Sequence, residues 1–121
     1  MSAPTRFPRA VYAHGSEPDA RFTFANERTF LAWIRTALAF LAGGVALELL
    51  GLDLHPALRL AASLVLVVAG VATPPLAWIG WVRAERAMRL GRPLPASPMG
   101  AVLSVAVVVA GALLLLAVLL R

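Results

Sequence analysis

Three apolar runs, each about as long as a bilayer is thick, constrain the fold of this chain more than any other feature. They cover about residues 30–50, 58–81 and 99–120. A helix needs about 20 apolar residues to cross the hydrocarbon core, and lipid admits only helices and closed barrels. With 60% hydrophobic and 14% charged residues, a soluble domain of 121 residues would lack the interior to cover its apolar surface. The sequence therefore predicts an all-α integral membrane protein with three transmembrane helices.

Arginine placement predicts how these helices cross the membrane. Four arginines precede the first apolar run and four lie in the second connection, whereas the first connection has only Arg59 and the C-terminal end only Arg121. The positive-inside rule then puts the N-terminus and the second connection in the cytoplasm, and three spans put the C-terminus outside. The first 29 residues contain no signal-peptide pattern. We expect a disordered cytoplasmic tail over residues 1–15 and a three-helix transmembrane domain over residues 16–121.

The first helix is expected to begin before the membrane. Ser16 followed by Asp19 resembles a capping box, with Pro18 in the first turn. This pattern favours an amphipathic N-terminal extension of the first helix, which would begin near Glu17 and lie along the interface. The alternative is an irregular tail followed by a helix that begins near Asn26.

A repeat of arginines at the entrance of the first span is the most informative functional feature. Arg21, Arg28 and Arg35 are seven residues apart, so on a continuous helix they point in nearly the same direction. The same face continues with four alanines: Ala32, Ala39, Ala42 and Ala46. Small residues mark close helix contacts in membranes, so this stripe is expected to face partner helices or a cavity. Arg35 either lines a cavity or extends to the headgroups. Beside it, Glu27 and Arg28 are candidates for an ion-pair network at the helix entrance, which is either a ligand site or an orientation signal with structural pairing.

The second connection carries a second candidate site for anions. Four arginines are spaced three residues apart there: Arg83, Arg86, Arg89 and Arg92. A helical ridge of this kind beside a membrane attracts anionic headgroups by about 1 kcal/mol per charge, and it would also suit a phosphate-rich solute. We therefore expect membrane lipids, especially anionic ones, as partners, with an anionic solute as the alternative. No nucleic-acid recognition fold is evident, so a nucleic-acid partner is not expected.

The second apolar run contains a candidate helix kink at Thr73, Pro74 and Pro75. Two prolines remove two backbone donors, which predicts a bend, and the Thr73 hydroxyl is a candidate to bond a freed carbonyl. Such a kink serves either packing or gating. Small residues at four-residue spacing, such as Gly80 with Ala84, favour close helix contacts within or between chains.

The remaining polar residues give no sign of catalysis. Glu48 either pairs with Arg59 across the first connection or is a plain interfacial carboxylate. His14 and His55 have no further metal ligands nearby and the chain has no cysteine, so no metal or other cofactor is expected. No nucleophile–base pair, paired catalytic carboxylates or phosphate-binding glycine loop is evident. The sequence therefore predicts a protein that is not an enzyme.

The entrance of the first span also carries a specific motif. The run Ala-Asn-Glu-Arg-Thr-Phe-Leu from Ala25 to Leu31, followed by Trp33, resembles the hallmark of the YidH-like family of small bacterial inner-membrane proteins, a domain of unknown function. The stretch from Arg83 to Pro93 is similar to a second patch of that family. The resemblance implies three helices, a location in the bacterial inner (plasma) membrane and no assigned activity.

The same module resembles the membrane part of the vacuolar transporter chaperone complex of fungi, in which several copies surround a pore for polyphosphate. By motif match, the resemblance implies that Arg21, Glu27 and Arg28 are pore-mouth residues, and that Arg83 and Arg89 occupy basic positions after the second helix. The 121 residues contain no counterpart of the soluble domains that give the fungal complex its synthetic activity, so we expect no polyphosphate synthesis, and translocation is an analogy at the level of the fold.

These patterns lead to two hypotheses of function. The first is a homo-oligomer whose first helices converge, so that their arginines line a cytoplasmic vestibule and form an anion channel for phosphate- or polyphosphate-type solutes. The second is a non-transporting membrane scaffold or partner subunit, in which the same arginines set the topology and bind anionic lipid.

Overall fold

The computed structural model describes residues 6–121, and all regular secondary structure in this range is helical. One short helix precedes three long ones: α1 (Arg9–Tyr12), α2 (Ala20–Leu49), α3 (Pro56–Arg89) and α4 (Met99–Leu119). The three long helices are long and apolar enough to cross a membrane, which confirms the predicted all-α fold. Both α2 and α3 are longer than the apolar runs, because each extends into an arginine-rich segment.

A side-chain cap sets the beginning of α2. Asp19 Oδ1 accepts a hydrogen bond from the backbone N–H of Arg21 at 2.9 Å, which satisfies one of the first helical donors. The predicted extension ahead of the apolar run is present, but it begins at Ala20, between the two starting points that the sequence suggested. The reason is that Asp19, not Ser16, provides the cap; the Ser16 N–H instead donates to the Arg89 carbonyl at 3.0 Å.

The N-terminal segment folds back onto the end of α3. α1 packs against α3, and Val11 is completely buried. Gly15 has a φ of 65°, and a Cβ added there would lie 2.1 Å from the Arg89 carbonyl oxygen, so only glycine fits at this position. The disorder expected for residues 1–15 is therefore not observed for residues 6–15, and residues 1–5 lie outside the described range.

The long helices are arranged with α3 between α2 and α4. α2 and α3 approach closely at small residues: a Cβ on Gly44 would lie 2.9 Å from the Ser63 carbonyl oxygen, and one on Gly70 would lie 3.0 Å from that of Ala37. Ser63 Oγ also donates to the Gly44 carbonyl at 2.6 Å. Within residues 6–121, the backbones of α2 and α4 make no close approach, which leaves a groove between them on one side of α3.

α3 continues as a helix through its two prolines. Pro74 and Pro75 each lack the N–H that would bond the carbonyl four residues earlier. The Thr73 hydroxyl donates to the Ala69 carbonyl at 2.6 Å, which is not one of the two carbonyls that the prolines free. This bond differs from the one predicted for Thr73, and the kink at these residues stays a prediction.

Candidate functional site

Both arginine-rich segments of the sequence meet at one end of the helix bundle. The start of α2 lies beside the end of α3, and α1 packs on that same end of α3. We call this region, residues 6–28 together with residues 83–98, the arginine-rich end. Its polar residues fall into two groups: a buried network that connects the helices and a set of exposed arginines.

The centre of the buried network is Glu85 of α3, which is 1% exposed. Asn26 Nδ2 donates to Glu85 Oε1 and to the Trp81 carbonyl, each at 3.1 Å. Thr23 Oγ1 donates to Glu85 Oε2 at 3.4 Å. Glu85 forms no ion pair within residues 6–121, so its carboxyl group joins α3 to α2 through neutral donors alone. Loss of either donor would leave a buried polar atom without its partner.

Arg89, the last residue of α3, holds the N-terminal segment in place. Its guanidinium donates from Nε to the His14 carbonyl at 2.8 Å, from Nη1 to Glu17 Oε1 at 3.2 Å and from Nη2 to the Tyr12 carbonyl at 3.4 Å. Arg6 also pairs with Glu17. Because Arg89 is only 6% exposed, it acts as a structural clamp and is not accessible as a ligand for lipid or phosphate, contrary to the sequence-based expectation.

The four arginines at the end of α3 therefore do not form a single ridge. Side chains three residues apart on an α-helix differ in direction by about 60°, so a row of them turns around the helix. Arg89 falls on the buried side, and Arg92 lies beyond the end of the helix. Arg83, Arg86 and Arg92 are exposed and line one open cleft, and none of the three has an ion-pair partner among residues 6–121.

The arginine stripe of α2 lies on the side of the helix that faces away from α3. Arg21, Arg28 and Arg35 are all exposed, whereas Ala37 and Gly44 on the opposite side are buried. Three of the four alanines predicted on the arginine face are exposed as well: Ala32, Ala39 and Ala42. Within residues 6–121 the stripe is therefore not covered by another helix, and any partner that covers it lies outside these residues.

The three arginines of this stripe differ in whether they form an ion pair. Arg21 Nη2 lies 2.9 Å from Asp19 Oδ2, and this hydrogen-bonded pairing holds the pKa of Asp19 below its usual value and raises the pKa of Arg21. Glu27, Arg28 and Arg35 form no ion pair within the part of the chain that the structure describes. The ion-pair network predicted for Glu27 and Arg28 is therefore not formed within residues 6–121.

A cavity of about 430 Å³ occupies the groove between α2 and α4. Its lining is mostly apolar and includes Phe30 and Trp33 of α2, Ala77 and Trp81 of α3, and Leu103 of α4. The Nε1 donor of Trp81 is buried and has no hydrogen-bond acceptor within residues 6–121. The same residues contain no cluster of three side chains that could hold a metal ion. The cavity and the arginine cleft each have room for a ligand.

Comparison with known proteins identifies the family of the chain. The model of the family described as "Domain of unknown function (DUF202)" matches residues 21–87. The chain belongs to the DUF202 family. Among DUF202 relatives, the inner membrane protein YidH of Escherichia coli K12 is 49% identical over 82 residues, which are 67% of this chain and 71% of YidH. The uncharacterized protein Rv2272 of Mycobacterium tuberculosis H37Rv is 47% identical over 96 residues, 78% of this chain and 79% of the relative. No solved structure matches.

The DUF202 match confirms the resemblance to the YidH-like family that the motif at Ala25 suggested. With its three membrane-length helices, this DUF202 chain is a multi-pass inner-membrane protein, and neither the family description nor these relatives' names state an enzymatic activity. The DUF202 region, residues 21–87, contains both Asn26 and Glu85, whereas Arg89 lies outside it.

Sequence reasoning missed Asn26 and Glu85 as interacting residues. A signal was present for each. Asn26 is the polar amide inside the motif that begins at Ala25, and Glu85 is the single acidic residue in the row of arginines at the end of α3. An isolated acid among bases is usually taken as charge balance, and only the packing of α2 on α3 reveals that it accepts hydrogen bonds from α2.

Proposed function

We propose that the chain forms a homo-oligomer in the inner membrane, in which the arginine stripes of α2 converge on a vestibule for anions of the phosphate or polyphosphate type. The observation that carries this proposal is the exposure of Arg28 and Arg35, which have no ion-pair partner within residues 6–121. An arginine at the edge of the hydrocarbon is costly unless it meets water, an anion or a partner helix. We assign this end to the cytoplasm on the positive-inside rule.

The composition of the same face supports self-association. The exposed alanines Ala32, Ala39 and Ala42 would let two helices approach closely in lipid. In a closed symmetric assembly, Arg28 and Arg35 would form two successive rings, and rings of arginine favour anions. Three spanning helices are too few to enclose an aqueous pore, so the vestibule requires several copies. Catalysis has no part in this proposal.

The first experiment measures the mass of the purified protein in nanodiscs by native mass spectrometry. A ring of four or more copies is expected, and a monomer or dimer would rule the vestibule out.

The second experiment tests proteoliposomes for phosphate and polyphosphate flux. Arg28→Gln with Arg35→Gln should lower the flux while the oligomer mass and the thermal unfolding midpoint stay unchanged. Arg121→Gln, an exposed arginine at the C-terminal end, is the matched control. Flux that is equal in the double variant and the wild type would contradict the proposal.

A second candidate function, a non-transporting scaffold or partner subunit that binds anionic lipid, is favoured by a different observation. Arg83, Arg86 and Arg92 line one cleft and have no ion-pair partner within residues 6–121. Each charge near an anionic membrane surface contributes about 1 kcal/mol. This function predicts that Arg86→Gln with Arg92→Gln reduces the anionic lipid that copurifies with the protein, and that wild-type proteoliposomes show no flux. Lipid retention that is the same in the double variant would rule it out.

A further inference from the structure

The cavity between α2 and α4 and the arginine cleft are parts of one continuous depression. Arg83 and Pro95 line both of them. Along α3 the lining of the cavity runs from Ala69 to Met88, a distance of about 29 Å at 1.5 Å per residue. The depression is therefore long and narrow, and one end lies among apolar side chains while the other opens onto three arginines.

The chemistry of the lining changes along this length. In the middle of the bundle, the cavity is bordered by Ala69, Ala77 and Leu103, and the surrounding aromatic side chains of Phe30 and Trp33 pack on this apolar cluster. Closer to Arg83 the lining includes Asn26, whose Nδ2 donates to the Trp81 carbonyl at 3.1 Å, and it ends at the Arg83 side chain, which the cavity shares with the arginine cleft.

From this gradient we infer that the depression binds one anionic phospholipid, with an acyl chain between α2 and α4 and the phosphate among Arg83, Arg86 and Arg92. The volume of about 430 Å³ lies within the usual range of ligand sites, and the apolar part lies within the membrane-length portion of the helices. Three arginines without ion-pair partners in residues 6–121 complement a phosphate. This inference rests on the lipid-binding function above and adds an acyl-chain site to it.

Gly80 offers a way to fill the cavity without disturbing the fold. It lines the cavity, and a Cβ added to it would meet no atom within 4 Å. Gly80→Phe would therefore place a ring in the open space, and it removes a glycine from a helix interior, which does not weaken the helix. Gly111 of α4 is also unobstructed but does not line the cavity, so Gly111→Phe is the matched control.

The experiment adds phosphatidylglycerol or phosphatidylcholine of identical acyl chains to delipidated protein in detergent and counts bound lipids by native mass spectrometry. The wild type and Gly111→Phe should each retain one phosphatidylglycerol per chain and bind phosphatidylcholine more weakly. Gly80→Phe should lose both lipids. Substitution of Arg83, Arg86 and Arg92 by Gln should weaken phosphatidylglycerol binding about fivefold for each arginine removed. Phosphatidylcholine binding should weaken less, because the choline cation offsets the charge of its phosphate. Soluble glycerol phosphate, which has the headgroup chemistry without a chain, should not displace the lipid.

Three results would overturn the inference, and they separate it from the function on which it rests. If Gly80→Phe binds phosphatidylglycerol as the wild type does while the arginine variants do not, the arginines bind lipid at the surface and the cavity holds no acyl chain. If the wild type binds both lipids equally, the arginines do not select a headgroup with net negative charge, and the anionic-lipid function falls with the inference. If glycerol phosphate displaces the lipid, the cleft is a site for a soluble phosphate.

Discussion

The two ends of the helix bundle use charge in opposite ways. At the arginine-rich end, Glu85 and Arg89 are buried and hydrogen-bonded, while the exposed arginines around them have no ion-pair partner within residues 6–121, except Arg21. At the opposite end, where α2 connects to α3, no charged residue is buried within the described chain. There, Arg59 Nε lies 3.4 Å from Glu48 Oε1, and Arg59 Nη1 donates to the Leu52 carbonyl at 2.8 Å.

The opposite end shows that a short turn with a few hydrogen bonds is enough to join the helices. The buried polar network of the arginine-rich end is therefore additional to what joining them requires. The opposite end connects α2 and α3 with a short turn, in which His55 Nδ1 accepts from the Leu58 N–H at 3.4 Å, and it contacts α4 through the bond from the His55 N–H to the Ala117 carbonyl at 3.0 Å. The arginine-rich end has a buried polar network as well, although such groups are costly near lipid. A network of this kind is expected where a functional surface has to be held rigidly from behind.

The largest expected effect comes from breaking the buried network itself. Asn26→Leu removes the donor to Glu85 Oε1 and leaves the buried carboxyl group with Thr23 alone. We expect the free energy of unfolding to fall by about 2 kcal/mol or more, because an unsatisfied buried polar group loses its full solvation. Equilibrium unfolding in mixed detergent micelles, followed by circular dichroism, measures the change.

Two controls show whether this loss comes from the network. Glu27→Ala alters the exposed neighbour of Asn26 and should change the free energy of unfolding by no more than about 0.5 kcal/mol. The double variant with Asn26→Leu and Glu85→Leu should recover part of the loss, since replacing both partners by apolar groups is nearly neutral. If Asn26→Leu is as stable as Glu27→Ala, Glu85 is not held by Asn26 and the two ends do not differ in this respect.

The sequence predicted the helices better than it predicted their contacts. Span number and position follow from the length of apolar runs, so the three long helices were predictable. The contact between α2 and α3 was not, because it depends on which residues of two long helices lie opposite each other. Gly44 and Gly70 form that contact, whereas Gly80, which the four-residue spacing suggested, faces open space within this chain.

The candidate site was predictable to the extent that it depends on a single helix. The common direction of Arg28 and Arg35 follows from seven-residue spacing on one helix, and both are exposed on one face. The pairing of Asn26 with Glu85 joins residues 59 positions apart, and the burial of Arg89 requires the N-terminal segment to fold back over it. Neither follows from the pattern of one segment.

The second prediction tests whether the N-terminal segment of the arginine-rich end depends on the Arg89 clamp. Arg89→Gln removes the bonds to the carbonyls of Tyr12 and His14 and the pairing with Glu17. Hydrogen bonds from a charged donor contribute about 1.5–3 kcal/mol, so residues 6–17 should detach from α3. Hydrogen exchange should then become faster at the Ser16 amide and in α1, while α2 and α4 keep their protection. Arg86→Gln, an exposed arginine of the same helix, is the control, and equal protection in both variants would mean that α1 needs no clamp.

The smallest effect is expected at the opposite end, where the charges are paired but partly exposed. Glu48→Gln removes only the ion pair with Arg59 and should lower the free energy of unfolding by about 0.5 kcal/mol, as exposed ion pairs do. Arg59→Gln should cost slightly more, because it also removes the bond to the Leu52 carbonyl. A double-mutant cycle in the same micelles isolates the coupling between the two charges. A coupling energy below about 1 kcal/mol preserves the contrast between the ends, whereas a value as large as the Asn26→Leu loss would mean that both ends are held by their charged groups.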